Sequence, residues 1–227
     1  MRARPILAID GPMGAGKSTV AREVARRLGY QYLDTGAMYR AVTWVAIFEG
    51  ADLEDEERLS AISRKLAEGA LQLVRSDDQL KVFVDGRDIT MEIRSPEVTA
   101  SVAKIARVPG VREAMTSLQR RLASGGGVVV EGRDMGTVVF PDAEVKVFLT
   151  ASLEERARRR QKELKERGEE IPWERVFQIV EEDDRVAMTR AVAPLRPAPD
   201  AVVIDTTGRT IEEVVEEILR IFKSRVD

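Results

Sequence analysis

The chain has 227 residues, of which 36 are Lys or Arg and 39 are Asp or Glu, so its formal net charge is -3. This length is sufficient for one α/β domain with insertions, and the nearly balanced charge excludes the polycationic character typical of nucleic-acid binders. Because the chain contains no cysteine and no histidine, it excludes disulfides, thiolate metal sites and Ser-His or Cys-His catalysis.

The first half of the chain predicts alternating strands and helices with one insertion. Apolar runs predict strands at residues 5–10 and 30–33, and helical periodicity predicts helices at residues 17–28, 37–48 and 56–69. Two alternating segments follow, at residues 71–74 and 80–84, separated by Ser76, Asp77 and Asp78. This pattern predicts a β-hairpin inserted among the α/β units.

The second half of the chain completes an α/β pattern. We predict helices at residues 95–107, 111–123, 153–167, 173–189 and 210–222, and apolar strands at residues 128–130, 145–149 and 201–204. Strands without polar alternation are typical of parallel sheets that are covered on both faces. The sequence therefore predicts an α/β fold with a five-stranded parallel sheet and helices on both faces.

The apolar runs also bear on location. None is long enough to cross a bilayer, and Asp10 and Gly11 interrupt the N-terminal segment MRARPILAIDG before a secretory apolar region can form. We therefore expect a cytoplasmic protein with no membrane partner and no nucleic-acid partner.

The glycine-rich segment after the first strand matches G-x-x-x-x-G-K-[ST] at every fixed position. Such a loop wraps a phosphate with backbone N–H groups at a positive helix end. Lys17 would add a charge at the β- and γ-phosphates, and Ser18 would bind Mg²⁺. The residues predicted to bind ATP are Gly11, Pro12, Met13, Gly14, Ala15, Gly16, Lys17, Ser18 and Thr19.

A nucleotide loop alone does not distinguish a switch GTPase, an ATPase motor and a kinase. A GTPase needs an Asn-Lys-x-Asp element to read guanine, and this sequence contains no asparagine. A motor is expected to have a strand that ends in Asp-Glu, whereas the apolar strand here ends in Glu131, Gly132, Arg133 and Asp134. The pattern therefore favours a kinase.

Transfer to a phosphate monoester is compatible with the absence of histidine, because the attacking oxygen is already largely ionised at neutral pH and needs no general base. The reaction does need cations on both phosphate chains. The arginines that lie in polar segments and suit this role are Arg40, Arg133, Arg190 and the cluster at residues 156–160, which contains Arg156, Arg158, Arg159 and Arg160.

Four segments, DGPMGAGKS, LDTGAMYR, EGRDMGTVVFP and RAVAPL, resemble those of the bacterial cytidylate kinases, which are nucleoside monophosphate kinases with a phosphate loop. The resemblance runs in order along nearly the whole chain and includes the hairpin insertion in the monophosphate-binding region. It implies ATP- and Mg²⁺-dependent transfer to CMP, and to dCMP, in pyrimidine nucleotide metabolism.

The resemblance also implies roles for individual residues. The acceptor phosphate would be bound by Thr35, Arg40, Arg133 and Arg190, and the cytosine by Arg112 and Asp134. An aspartate accepts a hydrogen bond from the exocyclic amine of cytosine, where uracil has a carbonyl. Arg156, Arg159 and Arg160 lie in a segment similar to the mobile lid of the family, whose closure excludes water.

Two positions depart from the family pattern. Ala103 stands where the family usually has a serine that reaches the base, and Ala187 stands where it usually has an aspartate near the ribose. Asp183 or Asp184 would be able to compensate for the second change. These departures leave open an altered preference for ribose or for the acceptor.

We therefore expect one kinase domain over residues 1–227, with its core at about residues 1–35, 108–152 and 190–227, a monophosphate-binding region at about 36–107 and a lid at about 153–170. We also expect a monomer. Two alternatives stay open at this point. One is a kinase of the same fold for UMP, another deoxynucleotide or a shikimate-like acceptor, and the other is a nucleotide-sensing module without transfer.

Overall fold

The computed structural model describes residues 4–76 and 79–226. The strands, numbered along the chain, are β1 (Ile6–Asp10), β2 (Gln31–Asp34), β3 (Leu71–Ser76), β4 (Gln79–Val84), β5 (Arg87–Asp88), β6 (Val128–Gly132), β7 (Val145–Thr150) and β8 (Val202–Asp205). The helices are α1 (Lys17–Leu28), α2 (Thr35–Phe48), α3 (Glu56–Lys65), α4 (Pro96–Ile105), α5 (Pro109–Leu122), α6 (Leu153–Glu166), α7 (Trp173–Thr189) and α8 (Ile211–Val226). The chain divides into two compact units, one formed by Met1–Asp34 and Ala123–Asp227 and the other by Thr35–Leu122.

A five-stranded parallel sheet forms the centre of the first unit, with the strand order β2-β6-β1-β7-β8. Strand β1 lies in the middle and pairs with β6 from Ile6–Val128 to Asp10–Gly132. All five residues of β1 are buried, because a central parallel strand is covered on both faces. The carboxyl ends of β1 and β6 consequently lie side by side at one edge of the sheet.

Helices cover both faces of this sheet. On one face, β1, β6 and β7 share a core with α1 and α8, in which Tyr30 and Phe222 meet edge to face at 5.6 Å. On the other face, Phe148 of β7 packs with Ala187 of α7 and with Leu195. The predicted α/β fold class, with its five-stranded parallel sheet and helices on both faces, is therefore confirmed.

The second unit contains helices α2 to α5 and a small antiparallel sheet of strand order β3-β4-β5. Strands β3 and β4 pair from Leu71–Val84 onwards, so the predicted hairpin is confirmed. Of the turn predicted at Ser76, Asp77 and Asp78, the last two residues lie outside the described part of the chain.

Most predicted helices agree with the structure to within a few residues, but the predicted helix at residues 56–69 ends earlier. Helix α3 stops at Lys65, and a wide π-helical turn, Leu66–Ala70, leads into β3. Gly69 has a φ of 136°, a left-handed conformation that ends regular helix. Within the described ranges, no helix is both long enough and apolar enough to cross a bilayer.

Candidate active site

The loop Gly11–Ser18 joins the end of β1 to the start of α1, and its glycines are required by close backbone approaches. Gly11 has a φ of 151°, and a Cβ there would lie 2.2 Å from the carbonyl oxygen of Leu149. Gly14 has a φ of 76°, and its Cβ would lie 2.7 Å from the carbonyl oxygen of Arg156. A side chain at either position would therefore displace neighbouring backbone.

The start of α1 is arranged to receive an anion. Gly16 precedes the helix with a φ of 88° and provides no side-chain acceptor for the first amides, and the first turn carries no acidic residue. Free N–H groups at a helix N-terminus, together with the helix dipole, bind phosphate oxygens. The predicted phosphate loop thus has the geometry of an anion-binding site.

Lys17 is the cation of this loop. Its Nζ donates to the carbonyl oxygen of Pro12 at 2.8 Å. Burial lowers the pKa of Lys17 from 10.5 to about 8, and the charge of Arg133 adds to this lowering. Lys17 and Arg133 therefore lie close enough for their charges to interact.

Asp10, at the end of β1, holds the segment that follows β6. Its two carboxylate oxygens accept from the backbone N–H groups of Met135 and Gly136, both at 2.8 Å. Burial raises the pKa of Asp10 from 3.8 to about 6, although these two hydrogen bonds oppose the rise. The contact fixes the GRDMG segment next to the phosphate loop.

Glu131, on β6, is a buried carboxylate beside the loop. It accepts a hydrogen bond from the hydroxyl of Tyr32, and it is also hydrogen-bonded to Ser18. Burial, and after it the neighbouring charge of Asp34, raise the pKa of Glu131 from 4.5 to about 7. Ser18 and Glu131 thus place two oxygen ligands side by side at the start of α1.

Arg133 and Arg190, both predicted to bind phosphate, are each held by protein groups. Arg133 makes a bidentate salt bridge to Asp183, with nitrogen–oxygen distances of 2.7 and 3.1 Å. Arg190 donates to the carbonyl oxygen of Ala193 and lies 3.6 Å from the carboxylate of Asp134. Arg190 and Asp134 therefore lie in one cluster.

Two of the predicted lid arginines contact the outside of the phosphate loop. Arg156 donates to the carbonyl oxygen of Met13 at 3.2 Å, and Arg159 donates to that of Gly14 at 3.4 Å. Arg159 also donates to the hydroxyl and the carbonyl oxygen of Thr206, at 2.9 and 2.7 Å. The start of α6 is thereby fastened to the loop.

The third lid arginine, Arg160, has a different neighbour. It is nearly buried, and it pairs with Glu163 of its own helix at 2.8 Å. Its Nε has no hydrogen-bond partner within the described residues.

The second unit contains the other three residues predicted to bind the acceptor. Thr35, the first residue of α2, is buried. Arg40 donates to the hydroxyl of Thr99 at 2.8 Å. Arg112 is buried, donates to the carbonyl oxygen of Ala106 at 3.1 Å and lies over the ring of Tyr39.

The two departures from the family pattern have different surroundings. Ala103 is exposed on α4, whereas Ala187 is buried against Phe148 and Leu195. Asp183 and Asp184, which would be able to replace a carboxylate at position 187, are both engaged in salt bridges with arginines.

Sequence reasoning gave no role to several residues that shape this site, among them Asp10, Tyr32, Glu131 and Thr206. A signal was present for the first, because Asp10 stands between a buried strand and the loop. Thr206 had none, since its contacts with Ala15 and Arg159 join distant parts of the chain.

Comparisons with known proteins identify relatives along nearly the whole chain. The sequence profile described as Cytidylate kinase matches residues 7–224. A cytidylate kinase from Pelotomaculum thermopropionicum is 53% identical over 220 residues, covering 96% of this chain and 96% of the relative. One from Geobacillus thermodenitrificans is 50% identical over 226 residues and covers 100% of each chain.

A solved structure shares the fold. Shikimate kinase from Acinetobacter baumannii, in complex with shikimate, aligns with a TM-score of 0.51 at 17% identity, covering 99% of this chain and 96% of that one. This likeness concerns the fold alone. The profile and the close relatives, in contrast, extend over both units and include the phosphate loop and the GRDMG segment. The chain is a phosphotransferase, and it belongs to the cytidylate kinase family.

Proposed function

We propose that this protein transfers the γ-phosphoryl group of ATP to CMP, and also to dCMP, with Mg²⁺. The observation that carries the proposal is the pairing of β1 with β6, which brings the phosphate loop and Arg133 to the same edge of the sheet. The charge of Arg133 lowers the pKa of Lys17. Lys17 begins α1, after the loop that follows β1, and Arg133 directly follows β6. Two cations whose charges interact suit a reaction that brings two phosphate chains together.

The proposed reaction needs alignment more than proton transfer. An ionised oxygen of the CMP phosphate forms a bond to the γ-phosphorus, while the bond from that phosphorus to the β–γ bridging oxygen breaks and ADP leaves with the electron pair. The acceptor phosphate is already ionised, so no histidine is required. The protein supplies in-line positioning and fixed positive charge.

Within the first unit, the proposed roles divide between donor and acceptor. The loop amides and Lys17 bind the ATP phosphates, and Arg133 and Arg190 bind the acceptor phosphate. Asp134 accepts from the exocyclic amine of cytosine, and its neighbour Arg190 lies 3.6 Å from this carboxylate.

Six further residues complete the proposed set. The family resemblance assigns three residues of the second unit to acceptor binding: Thr35, Arg40 and Arg112. A separate variant of each residue tests its role. Arg159 and Arg160 stay proposed lid residues, together with Arg156.

Two residues at the loop, Ser18 and Glu131, fit a Mg²⁺ ion that also binds substrate phosphate. Ser18 and Glu131 offer two oxygen ligands. Within the described residues, no group of three or more carboxylate, histidine or cysteine side chains could hold a metal ion alone. Mg²⁺ usually completes its shell with water and substrate phosphate. When bound, it would neutralise charge on the β- and γ-phosphates.

An acceptor panel tests the proposal directly. ADP release is measured with ATP and Mg²⁺ in the presence of CMP, dCMP, UMP or AMP. We expect CMP and dCMP to be the best acceptors and ADP release without an acceptor to be negligible. A preference for UMP or AMP would indicate another monophosphate kinase. ADP release that is absent, or that ignores the acceptor, would indicate a nucleotide-sensing module.

Thermal protection by the acceptor is a second test, and it does not depend on turnover. CMP is expected to raise the melting temperature of the protein, and shikimate is the comparison compound for a non-nucleotide acceptor. Protection by shikimate without protection by CMP would contradict the proposal. The monomeric state and the cytoplasmic location remain predictions from the sequence.

A further inference from the structure

Helix α7 carries two neighbouring carboxylates that contact two different arginines. Asp183 binds both terminal nitrogens of Arg133, at 2.7 and 3.1 Å. Asp184 binds both terminal nitrogens of Arg156, at 2.8 and 2.5 Å. Adjacent helical residues point in different directions, so one rigid helix reaches two separate cations.

At the first contact, the exposed fractions of the Arg133 and Asp183 side chains are 27% and 16%. The carboxylate takes one N–H of each terminal nitrogen, and a guanidinium has further N–H donors that this contact does not use. Asp183 therefore fixes the plane of the Arg133 guanidinium while leaving donors for an anion. Arg133 directly precedes Asp134, and both are proposed to bind the acceptor. The orientation of Arg133 is therefore expected to affect acceptor binding.

At the second contact, the Arg156 side chain is 7% exposed. Besides Asp184, it donates to the carbonyl oxygen of Ala151 at 3.0 Å and to that of Met13, in the phosphate loop, at 3.2 Å. A buried cation with four oxygen partners has little freedom to reorient. Asp184 consequently fixes Arg156, the arginine that contacts the phosphate loop. Its effect is therefore expected on the binding of the donor, ATP.

We propose that Asp183 and Asp184 are positioning residues that act on different substrates: Asp183 orients Arg133 for the acceptor phosphate, and Asp184 holds Arg156 against the loop that binds ATP. The inference rests on the proposed function for the identity of the two substrates. It gives Asp183 and Asp184 roles other than that of the aspartate which the resemblance implies at position 187. Both are already used by arginines.

The test compares three neighbouring substitutions, Glu182→Gln, Asp183→Asn and Asp184→Asn, by measuring KM for CMP and KM for ATP separately. Loss of a charged hydrogen-bond pair predicts that Asp183→Asn raises KM for CMP about tenfold and changes KM for ATP less than about twofold. Asp184→Asn is expected to do the reverse. Glu182, which pairs with Arg185 on the exposed face, is the matched control, and its variant should change neither value.

A second variant covers the case in which Asp184→Asn leaves Arg156 buried without a counter-charge and the protein unfolds. The double variant Asp184→Asn/Arg156→Gln removes both charges, and it is expected to fold and to keep the raised KM for ATP. Asp183→Glu is expected to restore part of the affinity for CMP, because it retains the carboxylate.

Two results would overturn the inference while leaving the proposed function intact: equal effects of the two Asp variants on both substrates, or a lower KM for CMP in Asp183→Asn. If the wild type does not phosphorylate CMP, the proposed function fails instead. The proposed role of Asp184 in ATP binding is then tested by thermal protection with ATP alone. Asp184→Asn must reduce the rise in melting temperature that ATP produces, and Asp183→Asn must not.

Discussion

The ammonium group of Lys17 donates to the carbonyl oxygen of Pro12 at 2.8 Å, back across the loop in which both residues lie. This contact orients the lysine inside the loop before any phosphate is bound. The pKa of Lys17 is lowered to about 8, chiefly by burial and then by Arg133. A bound phosphate chain would reverse this effect, because negative charge favours the ammonium form. Lys17 is thus positioned by the loop and best stabilised by substrate.

The first prediction concerns the charge of Lys17. Lys17→Ala is expected to lower turnover about 10²- to 10³-fold, because it removes charge stabilisation of the transition state. The melting temperature should change little, since Lys17 belongs to neither of the apolar clusters described on the two faces of the sheet. Lys162→Ala is the control, because this exposed residue pairs only loosely with Glu166, at 3.9 Å. Near-normal turnover in Lys17→Ala, measured by coupled ADP release, would count against the assigned activity.

The second prediction compares two adjacent glycines before β6. A Cβ at Gly126 would lie 1.8 Å from the carbonyl oxygen of Arg4, and the φ of Gly126 is 68°. A Cβ at Gly125 would lie more than 4 Å from every described heavy atom outside its two chain neighbours. We expect Gly126→Ala to lower the free energy of unfolding by about 1–3 kcal/mol and Gly125→Ala by less than about 1 kcal/mol. Equal values in urea unfolding would contradict this reading of the turn.

The fold was predictable from the sequence to a large extent because its signals are local. Residues 128–130 form an uninterrupted apolar run, and such a run is what a strand buried on both faces requires. The phosphate loop is equally local, since its glycines, Lys17 and Ser18 are contiguous. The early end of α3 was missed because Gly69 alone does not reveal its positive φ.

The contacts that build the site were much less predictable, because they join residues far apart in the sequence. The carboxylate of Asp10 binds the amides of Met135 and Gly136, and no periodicity encodes that pairing. The lid segment illustrates the same limit. Its arginine-rich pattern predicts positive charge, but only the packing of α6 against the loop and α7 determines that Arg156 contacts Met13 and Asp184.

The third prediction concerns Arg27, which links α1 to α8. Its guanidinium pairs with Glu23 of its own helix and with Glu212 and Glu216 of α8. We expect Arg27→Gln to lower the melting temperature modestly in low salt and less in high salt, because salt screens exposed charges. Arg158→Gln is the comparison, since Arg158 pairs with Glu155 of the same helix. A loss in Arg27→Gln that does not depend on salt would indicate lost packing instead.

The fourth prediction is a pH dependence from Asp10. The pKa of Asp10 is raised in the folded state, from 3.8 to about 6, by burial. The folded state therefore binds the proton more tightly than the unfolded state does. Stability contributed by this group is consequently lowest above pH 6 and rises as the pH falls from about 6 to about 4. Asp10→Asn removes this titration but leaves the other acidic groups unchanged.

Asp10→Asn should itself be less stable than the wild type, because the backbone N–H groups of Met135 and Gly136 both need acceptors and the amide NH₂ group cannot accept. The hydroxyl oxygen of a protonated carboxyl, in contrast, still accepts. The difference in unfolding free energy between the two proteins should then widen as the pH falls through this range, because only the wild type gains stability from the proton. Urea unfolding at several pH values between 4 and 7.5 measures the difference. A gap that narrows towards acid would mean that the ionised carboxylate is the form the fold prefers, and that its two hydrogen bonds outweigh its burial.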